Sequence, residues 1–312
     1  MDRTDPPGTP TSTRAKQAGA IGLILSSSVV IAAVPNFAKL AYESGASIPL
    51  VLVGRAAVSV LLLGATLFVL RRSFTASARV LRLCAFGGVA AAVMSFGFLG
   101  SIASIDISLA ILIFYLHVIV IAWIGQIRGT YKLTPARLAY CAVILVGLAL
   151  ALSVRVGDLA LSGIALGLLG ALGAAVMVVA NGEAVAEAGS ILVNFYSTLF
   201  ALGVICVGSV IAGVLVPPAS SLGWIGIVGA GTAFCLGLAL FFAAIPTIDV
   251  ARASLIAILE PLFAILLSMA IFGERLELLQ WTGVAIVLLG LALLELPPHA
   301  FARKSRRKLP IA

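Results

Sequence analysis

Long apolar stretches separated by short polar segments make up most of this chain. A helix needs about 20 mostly apolar residues to cross about 30 Å of hydrocarbon, and ten stretches meet this requirement. They are too long and too continuously apolar to be strands of a membrane barrel, so we expect ten transmembrane helices. These predicted spans, numbered one to ten, cover residues 18–38, 47–70, 84–102, 107–127, 138–154, 161–182, 190–215, 222–244, 250–272 and 278–296.

The composition also indicates an all-α membrane protein. Of the 312 residues, 62% are hydrophobic and only 10% are charged, whereas soluble domains carry about 25% charged residues. The four cysteines lie in apolar runs without metal-ligand spacing. Because the chain also lacks a catalytic triad and paired carboxylates, we expect neither an enzyme nor a bound metal or cofactor.

The distribution of basic residues predicts the orientation. With ten spans, most of the arginines and lysines outside the spans fall on one side, together with both ends of the chain. Excess Lys and Arg mark the cytoplasmic face, so we expect both termini in the cytoplasm and the bundle in the cell inner membrane. The net charge of +8 then reflects topology and not nucleic-acid binding. The two predicted cytoplasmic tails are residues 1–17 and 297–312.

An internal repeat divides the predicted spans into two halves. "SIDISLA" (104–110) resembles "TIDVARA" (247–253), and "GLALAL" recurs as "GLALLE", each pair separated by 143 residues. Five helices per half is an odd number, so the second half must be inverted relative to the first. Transporters with inverted repeats bind their substrates near the bilayer midplane, between the halves. The predicted halves are residues 18–155 and 156–296.

Span nine carries a glutamate and a proline side by side, Glu260 and Pro261. A carboxylate at the bilayer centre costs at least about 2.5–3.5 kcal/mol on insertion scales. A proline removes one backbone hydrogen bond and frees a carbonyl about one turn earlier, near Ala257. The pair therefore predicts a kink in the helix that is accessible to water. Three roles stay open for Glu260: a structural cap or hydrogen-bonder, a cavity-lining group, or a proton carrier.

The 143-residue shift places His117 opposite Glu260, at the same depth of the matching helix. His117 has Tyr115 beside it in "FYLHVIVIAW" (114–123), where Val118 stands in place of the proline. A lone histidine inside a bundle also serves as an interhelical hydrogen-bonder. We therefore keep both a structural and a binding or coupling role for His117, and Tyr115 is a further binding or coupling candidate.

Spans one and two supply two further candidates. Arg55, early in span two, binds a substrate carboxylate, extends its charged end to the membrane surface, or pairs with Glu43. Asn36 follows Pro35 inside span one, where the proline predicts a second kink and the asparagine is a candidate cavity residue. Asn181, at the predicted end of span six, occupies roughly the position of Asn36 in the second half.

The stretch "ILEPLFAILLSMAIFGERLELLQWTGVAIVLLGLALL" (258–294) resembles the closing signature of the EamA branch of the drug/metabolite transporter superfamily. That signature runs Glu-Pro, an apolar run, Gly-Glu, and a last helix with glycines at its middle and end. "GRAAVSVLLLG" (54–64) is similar to the arginine-bearing second helix of the family. The first half departs from the pattern, with His117 and Gln126 where a proline and a Gly-Glu are usual. The matching positions are Gly273, Glu274, Gly283 and Gly290.

The resemblance implies export or exchange of a small metabolite, such as an amino acid or a related polar solute, by alternating access. It also implies a central cavity lined by spans one, three, four, six, eight and nine. Protons are a candidate coupling ion, and the oligomeric state stays open. Two alternatives remain: a lipid or lipid-linked sugar translocase of the same superfamily, and a membrane sensor or scaffold that transports nothing.

Overall fold

The computed structural model describes residues 10–102, 104–105, 107–154, 160–212, 215–272 and 276–295. Within these ranges the backbone forms α-helices and one 3₁₀ turn, Ala257–Leu259, and no β-strand. The helices are α1 (Pro10–Glu43), α2 (Ile48–Val69), α3 (Ala78–Ile102), α4 (Ile107–Tyr115), α5 (His117–Ile127), α6 (Pro135–Ala151), α7 (Leu161–Ala188), α8 (Ser190–Ala212), α9 (Ser221–Ala244), α10 (Val250–Ile256), α11 (Glu260–Phe272) and α12 (Leu278–Glu295).

Local capping chemistry sets several of these helix ends. The Thr134 hydroxyl accepts the N–H of Arg137 (3.3 Å) at the start of α6, and the Asp249 carboxylate accepts the N–H of Ala251 (2.8 Å) at the start of α10. Such side chains satisfy N–H groups that have no acceptor within the helix. Gly189 separates α7 from α8 with a φ of +77°, a conformation that glycine adopts without steric cost.

The length and composition of the helices show a membrane protein with multiple spans. In the part of the chain that the structure describes, eight helical segments are long and apolar enough to cross a bilayer. Two of these, Ser108–Ile127 and Val250–Leu267, each combine helices that are interrupted in the middle. Two shorter apolar helices, Pro135–Ala151 and Leu278–Leu294, occupy the positions of predicted spans five and ten. Ten spans and the inverted repeat remain predictions.

Small residues bring the main helix pairs together. Helix α3 packs along α7, α1 along α9, and α6 along α12. At the first of these contacts a Cβ on Gly97 would lie 2.6 Å from the backbone nitrogen of Gly170. A Cβ on Gly147, in α6, would lie 2.8 Å from the side chain of Ile286 in α12. The glycines therefore allow the backbones to approach closely, which is how membrane helices gain packing energy without a hydrophobic driving force.

Candidate functional site

Span nine is interrupted at the Glu-Pro pair. Helix α10 ends at Ile256, a 3₁₀ turn follows, and α11 begins at Glu260. Pro261 has no N–H to donate to the carbonyl of Ala257. The backbone N–H of Glu260 donates to that carbonyl instead. The structure thus places a helix break where Pro261 predicts a kink, and the carboxyl group of Glu260 stands at the break.

Span four is interrupted at the matching position, although it contains no proline there. Helix α4 ends at Tyr115 and α5 begins at His117, with one residue of turn between them. Nδ1 of His117 lies 2.8 Å from the carbonyl oxygen of Phe114, so the Nδ1–H tautomer donates this bond. Phe114 precedes Ala257 by 143 residues. The imidazole of His117 therefore donates a hydrogen bond to the carbonyl of Phe114, just as the backbone N–H of Glu260 donates one to the carbonyl of Ala257.

The two interruptions meet in one cluster of aromatic and polar side chains. The Tyr115 hydroxyl lies within hydrogen-bonding reach of the Glu260 carboxyl group. The ring centroids of Tyr115 and His117 are 5.7 Å apart, and those of Phe114 and His117 are 4.9 Å apart. Tyr115 is only 5% exposed, so its hydroxyl depends on a partner inside the protein. Three predicted site residues, Glu260, His117 and Tyr115, thus come together.

Arg55 lies elsewhere, at a cavity of about 30 Å³ lined by residues of α2, α3, α7, α8 and α9. Its guanidinium carbon is 4.1 Å from the ring centroid of Phe234, a cation–π distance. Among the described residues it forms no ion pair with Glu43, and its buried Nε has no hydrogen-bond partner. Spans two and seven line this cavity, whereas spans one, four and nine, which the resemblance implied, contribute no described residue to its lining.

Sequence reasoning missed most of the polar residues at this cavity. Asn194, Ser197 and Thr198 of α8 line it together with Asn181 of α7, which is buried inside a helix that continues to Ala188. Nδ2 of Asn181 donates to the Ser197 hydroxyl at 2.9 Å. The available signal was the spacing of three and four residues in "NFYST", because this spacing puts the three side chains on one helix face.

Asn36 and Pro35 belong to neither site. Helix α1 continues through Pro35, so the kink predicted there is not a helix break, unlike the one at Pro261. A membrane helix accepts a single proline where its surroundings satisfy the freed backbone group. Asn36 is 7% exposed and its Nδ2 donates to the carbonyl of Ala32 at 3.2 Å. The side chain is thus engaged within its own helix.

Over the described ranges, no three His, Cys, Asp or Glu side chains are grouped so that they could hold a metal ion. The four cysteines are free thiols; Cys84 and Cys141 are buried, and Cys206 and Cys235 are partly buried.

Comparison with known proteins agrees with this architecture. Residues 161–296 match the model of the EamA-like transporter family. No curated protein matches the sequence. One solved structure, described only as "Crystal structure of protein", superimposes with a TM-score of 0.73, covering 89% of this chain and 97% of its own, at 17% sequence identity; this likeness shows the fold alone. The matched region coincides with the second of the two predicted halves, and the matching family belongs to the drug/metabolite transporter superfamily.

Proposed function

We propose that this protein is a secondary transporter of the cell inner membrane. It exports or exchanges a small metabolite, an amino acid or a related polar solute, by alternating access. The observation that carries the proposal is the pair of interrupted helices, whose second segments begin at His117 and Glu260. Transporters place substrate and coupling-ion sites at discontinuous helices in corresponding positions of their two repeats.

Helix packing supports an arrangement of ten spans in two inverted halves, residues 18–155 and 156–296. In the predicted repeat, α3 (span three) corresponds to α9 (span eight), α7 (span six) to α1 (span one), and α8 (span seven) to α2 (span two). The pair α3–α7 is therefore equivalent to the pair α9–α1, and the pair α3–α8 is equivalent to the pair α9–α2. All four pairs pack against each other. The loop after α1 also bonds to the loop after α8, where the N–H of Ser47 donates to the carbonyl of Val216 at 3.0 Å. Ten spans place these two loops on the same side.

The proposed orientation has both tails, 1–17 and 297–312, in the cytoplasm. Ion pairs support a shared side for three polar ends of the bundle. Arg79, at the start of α3, pairs with Glu187 near the end of α7 at 3.5 Å. Arg128, just after α5, pairs with Glu183 of α7. These are the ends that the excess of basic residues assigns to the cytoplasm.

In the proposed mechanism Glu260 changes partners as the two halves move. In this conformation its carboxyl group faces the Tyr115 hydroxyl, which joins span four to span nine. When the spans separate, the carboxyl group takes a proton or a substrate ammonium group in place of the tyrosine. Protons are the coupling ion of this proposal, because Glu260 and His117 are the acid and the base of the cluster.

The test is solute uptake into proteoliposomes made with the full-length protein. A panel of labelled amino acids and related metabolites is offered with and without a proton gradient, and wild type is compared with Glu260→Gln. We expect saturable uptake of one solute class, accelerated by the gradient, and loss of that acceleration in the variant. Glu277→Gln, which changes an exposed carboxylate outside the helices, is the matched control and should behave like wild type.

Two results would contradict this proposal. Gradient-dependent uptake that persists in Glu260→Gln assigns Glu260 a structural role and moves the coupling role to His117. If wild type moves none of the panel, small-solute transport fails, and a lipid-linked substrate becomes the alternative to test with labelled lipids.

A further inference from the structure

We infer that the cavity beside Arg55 binds the carboxylate group of a small solute whose body is largely apolar. The inference rests on the proposed function, because it names the chemical class of the transported solute. It concerns a different place from the Tyr115–Glu260 contact, namely the space between α2, α3, α7, α8 and α9. Three properties of the lining carry it: an uncompensated positive charge, unpartnered hydrogen-bonding groups, and an apolar wall.

Among the described residues, Arg55 is the one charged side chain that lines the cavity, and no described aspartate or glutamate accompanies it there. Its guanidinium packs on the face of Phe234, which offsets part of the desolvation of a cation but supplies no counter-charge. A buried charge without a partner is costly. A ligand anion supplies the missing charge, and the planar fork of a guanidinium matches the two oxygens of a carboxylate.

Asn194 also lines the cavity and carries a second unpaired donor. Its side chain is 2% exposed, and its Nδ2 has no hydrogen-bond partner among the described residues. Buried polar groups in proteins are almost always paired, so this unpaired donor marks the position of a ligand acceptor.

The rest of the wall is apolar and sets the size of the solute. It includes the side chains of Met94, Met177, Ile205, Phe234 and Leu238. The cavity volume of about 30 Å³ exceeds the roughly 10–15 Å³ that one water molecule requires but is too small for an organic solute, so the helices must separate to admit one. Methionine side chains are unbranched and adaptable, which allows the wall to move around a short hydrocarbon body.

The test measures binding to the purified full-length protein in detergent. Butyrate, 2-hydroxybutyrate and 2-aminobutyrate are compared with the uncharged butyramide by the shift they cause in the thermal unfolding midpoint. We expect the carboxylates to stabilise the protein and the amide to have little effect. Arg55→Gln should weaken the apparent carboxylate affinity about 10- to 100-fold, since a charge-assisted hydrogen bond is lost. Arg82→Gln, which removes an exposed charge from α3, should leave the affinity unchanged.

Asn194→Asp provides a second, independent variant. It keeps the side-chain size and places a carboxylate in the cavity with Arg55, so it should abolish carboxylate binding. This variant decides the question if Arg55→Gln does not elute as a folded protein on size exclusion. Equal stabilisation by butyramide and butyrate, or unchanged affinity in both cavity variants, would overturn the inference. Stabilisation by dihexanoyl phosphatidylglycerol and by none of the small carboxylates would also overturn it.

The binding result separates this inference from the proposed function. Arg55-dependent carboxylate binding without any solute uptake in proteoliposomes leaves the binding site in place and removes the transport proposal. Uptake of uncharged or cationic solutes, with no preference for carboxylates in the binding assay, leaves transport in place and removes the carboxylate site.

Discussion

His117 and Glu260 each donate a hydrogen bond to a backbone carbonyl at a helix break, but they use different donor groups. The carbonyls of Phe114 and Ala257 occupy repeat-related positions at the two helix breaks. The first accepts a bond from the imidazole of His117 and the second from the backbone N–H of Glu260. The side chain of Glu260 is therefore not needed for capping Ala257 and faces Tyr115 instead. Of the structural roles considered for Glu260, interhelical hydrogen bonding fits this geometry.

Tyr115→Phe tests whether that contact stabilises the bundle. Removing the hydroxyl should lower the free energy of unfolding by about 1–3 kcal/mol, the range for hydrogen bonds to charged groups and for buried groups left unpaired. Thermal unfolding in detergent measures the loss. Tyr140→Phe is the control, because Tyr140 is a partly buried tyrosine that packs against the same apolar cluster as Tyr115.

A double-mutant cycle with Glu260→Gln assigns the effect to the pair. Tyr115→Phe should cost less in the Glu260→Gln background than in wild type. Strictly additive losses would show that the two side chains do not interact in the folded protein.

At the scale of elements, proline explains one of the two helix breaks. The sequence predicted the break in span nine from Pro261, but the break in span four has no proline and was not predicted from local sequence. Its only sequence signal was the 143-residue shift, which aligns His117 with Glu260. Pro35 gives the opposite case, a proline inside an uninterrupted helix. Whether a proline breaks a membrane helix depends on the surrounding groups that satisfy the freed carbonyl, and those are set by tertiary packing.

Val118→Pro tests whether the first break is equivalent to the second. Val118 lies in the first turn of α5, where N–H groups have no acceptor in the same helix, and it matches Pro261 in the repeat. The variant should lower stability by at most about 1.5 kcal/mol, as for a volume-conserving change. Val120→Pro is the control: its N–H donates to the carbonyl of Leu116 at 3.2 Å, so it should cost about 3 kcal/mol. Equal losses in unfolding experiments would contradict a break at this position.

At the scale of the whole molecule, the apolar pattern predicted an all-α membrane protein and the approximate positions of its helices. Hydropathy suffices for this because backbone groups in lipid must be satisfied within helices. The cavity was not predictable in the same way. Arg55 precedes Asn181 and Asn194 by more than 100 residues in the sequence. The three residues meet only through packing of the two predicted halves. Single polar residues in apolar spans show that a polar site exists but not which of them share it.

The number of spans depends most on α6. Its 17 residues extend about 25 Å at 1.5 Å per residue, short of the hydrocarbon thickness but at the lower limit of spanning helices. Thr130 and Ser162 are exposed residues on either side of it. In a variant with all four native cysteines replaced, Thr130→Cys and Ser162→Cys report the side on which each lies.

With ten spans, Ser162→Cys should react with a membrane-impermeant maleimide in intact cells, and Thr130→Cys only after the membrane is permeabilised. The excess of basic residues near Thr130, including Arg128 and Lys132, favours the cytoplasmic side for that loop. Reaction of both positions from the same side would mean that α6 does not cross the bilayer. The first half would then have four crossings, the second half could not be inverted relative to it, and the proposed symmetry between His117 and Glu260 would fail with it.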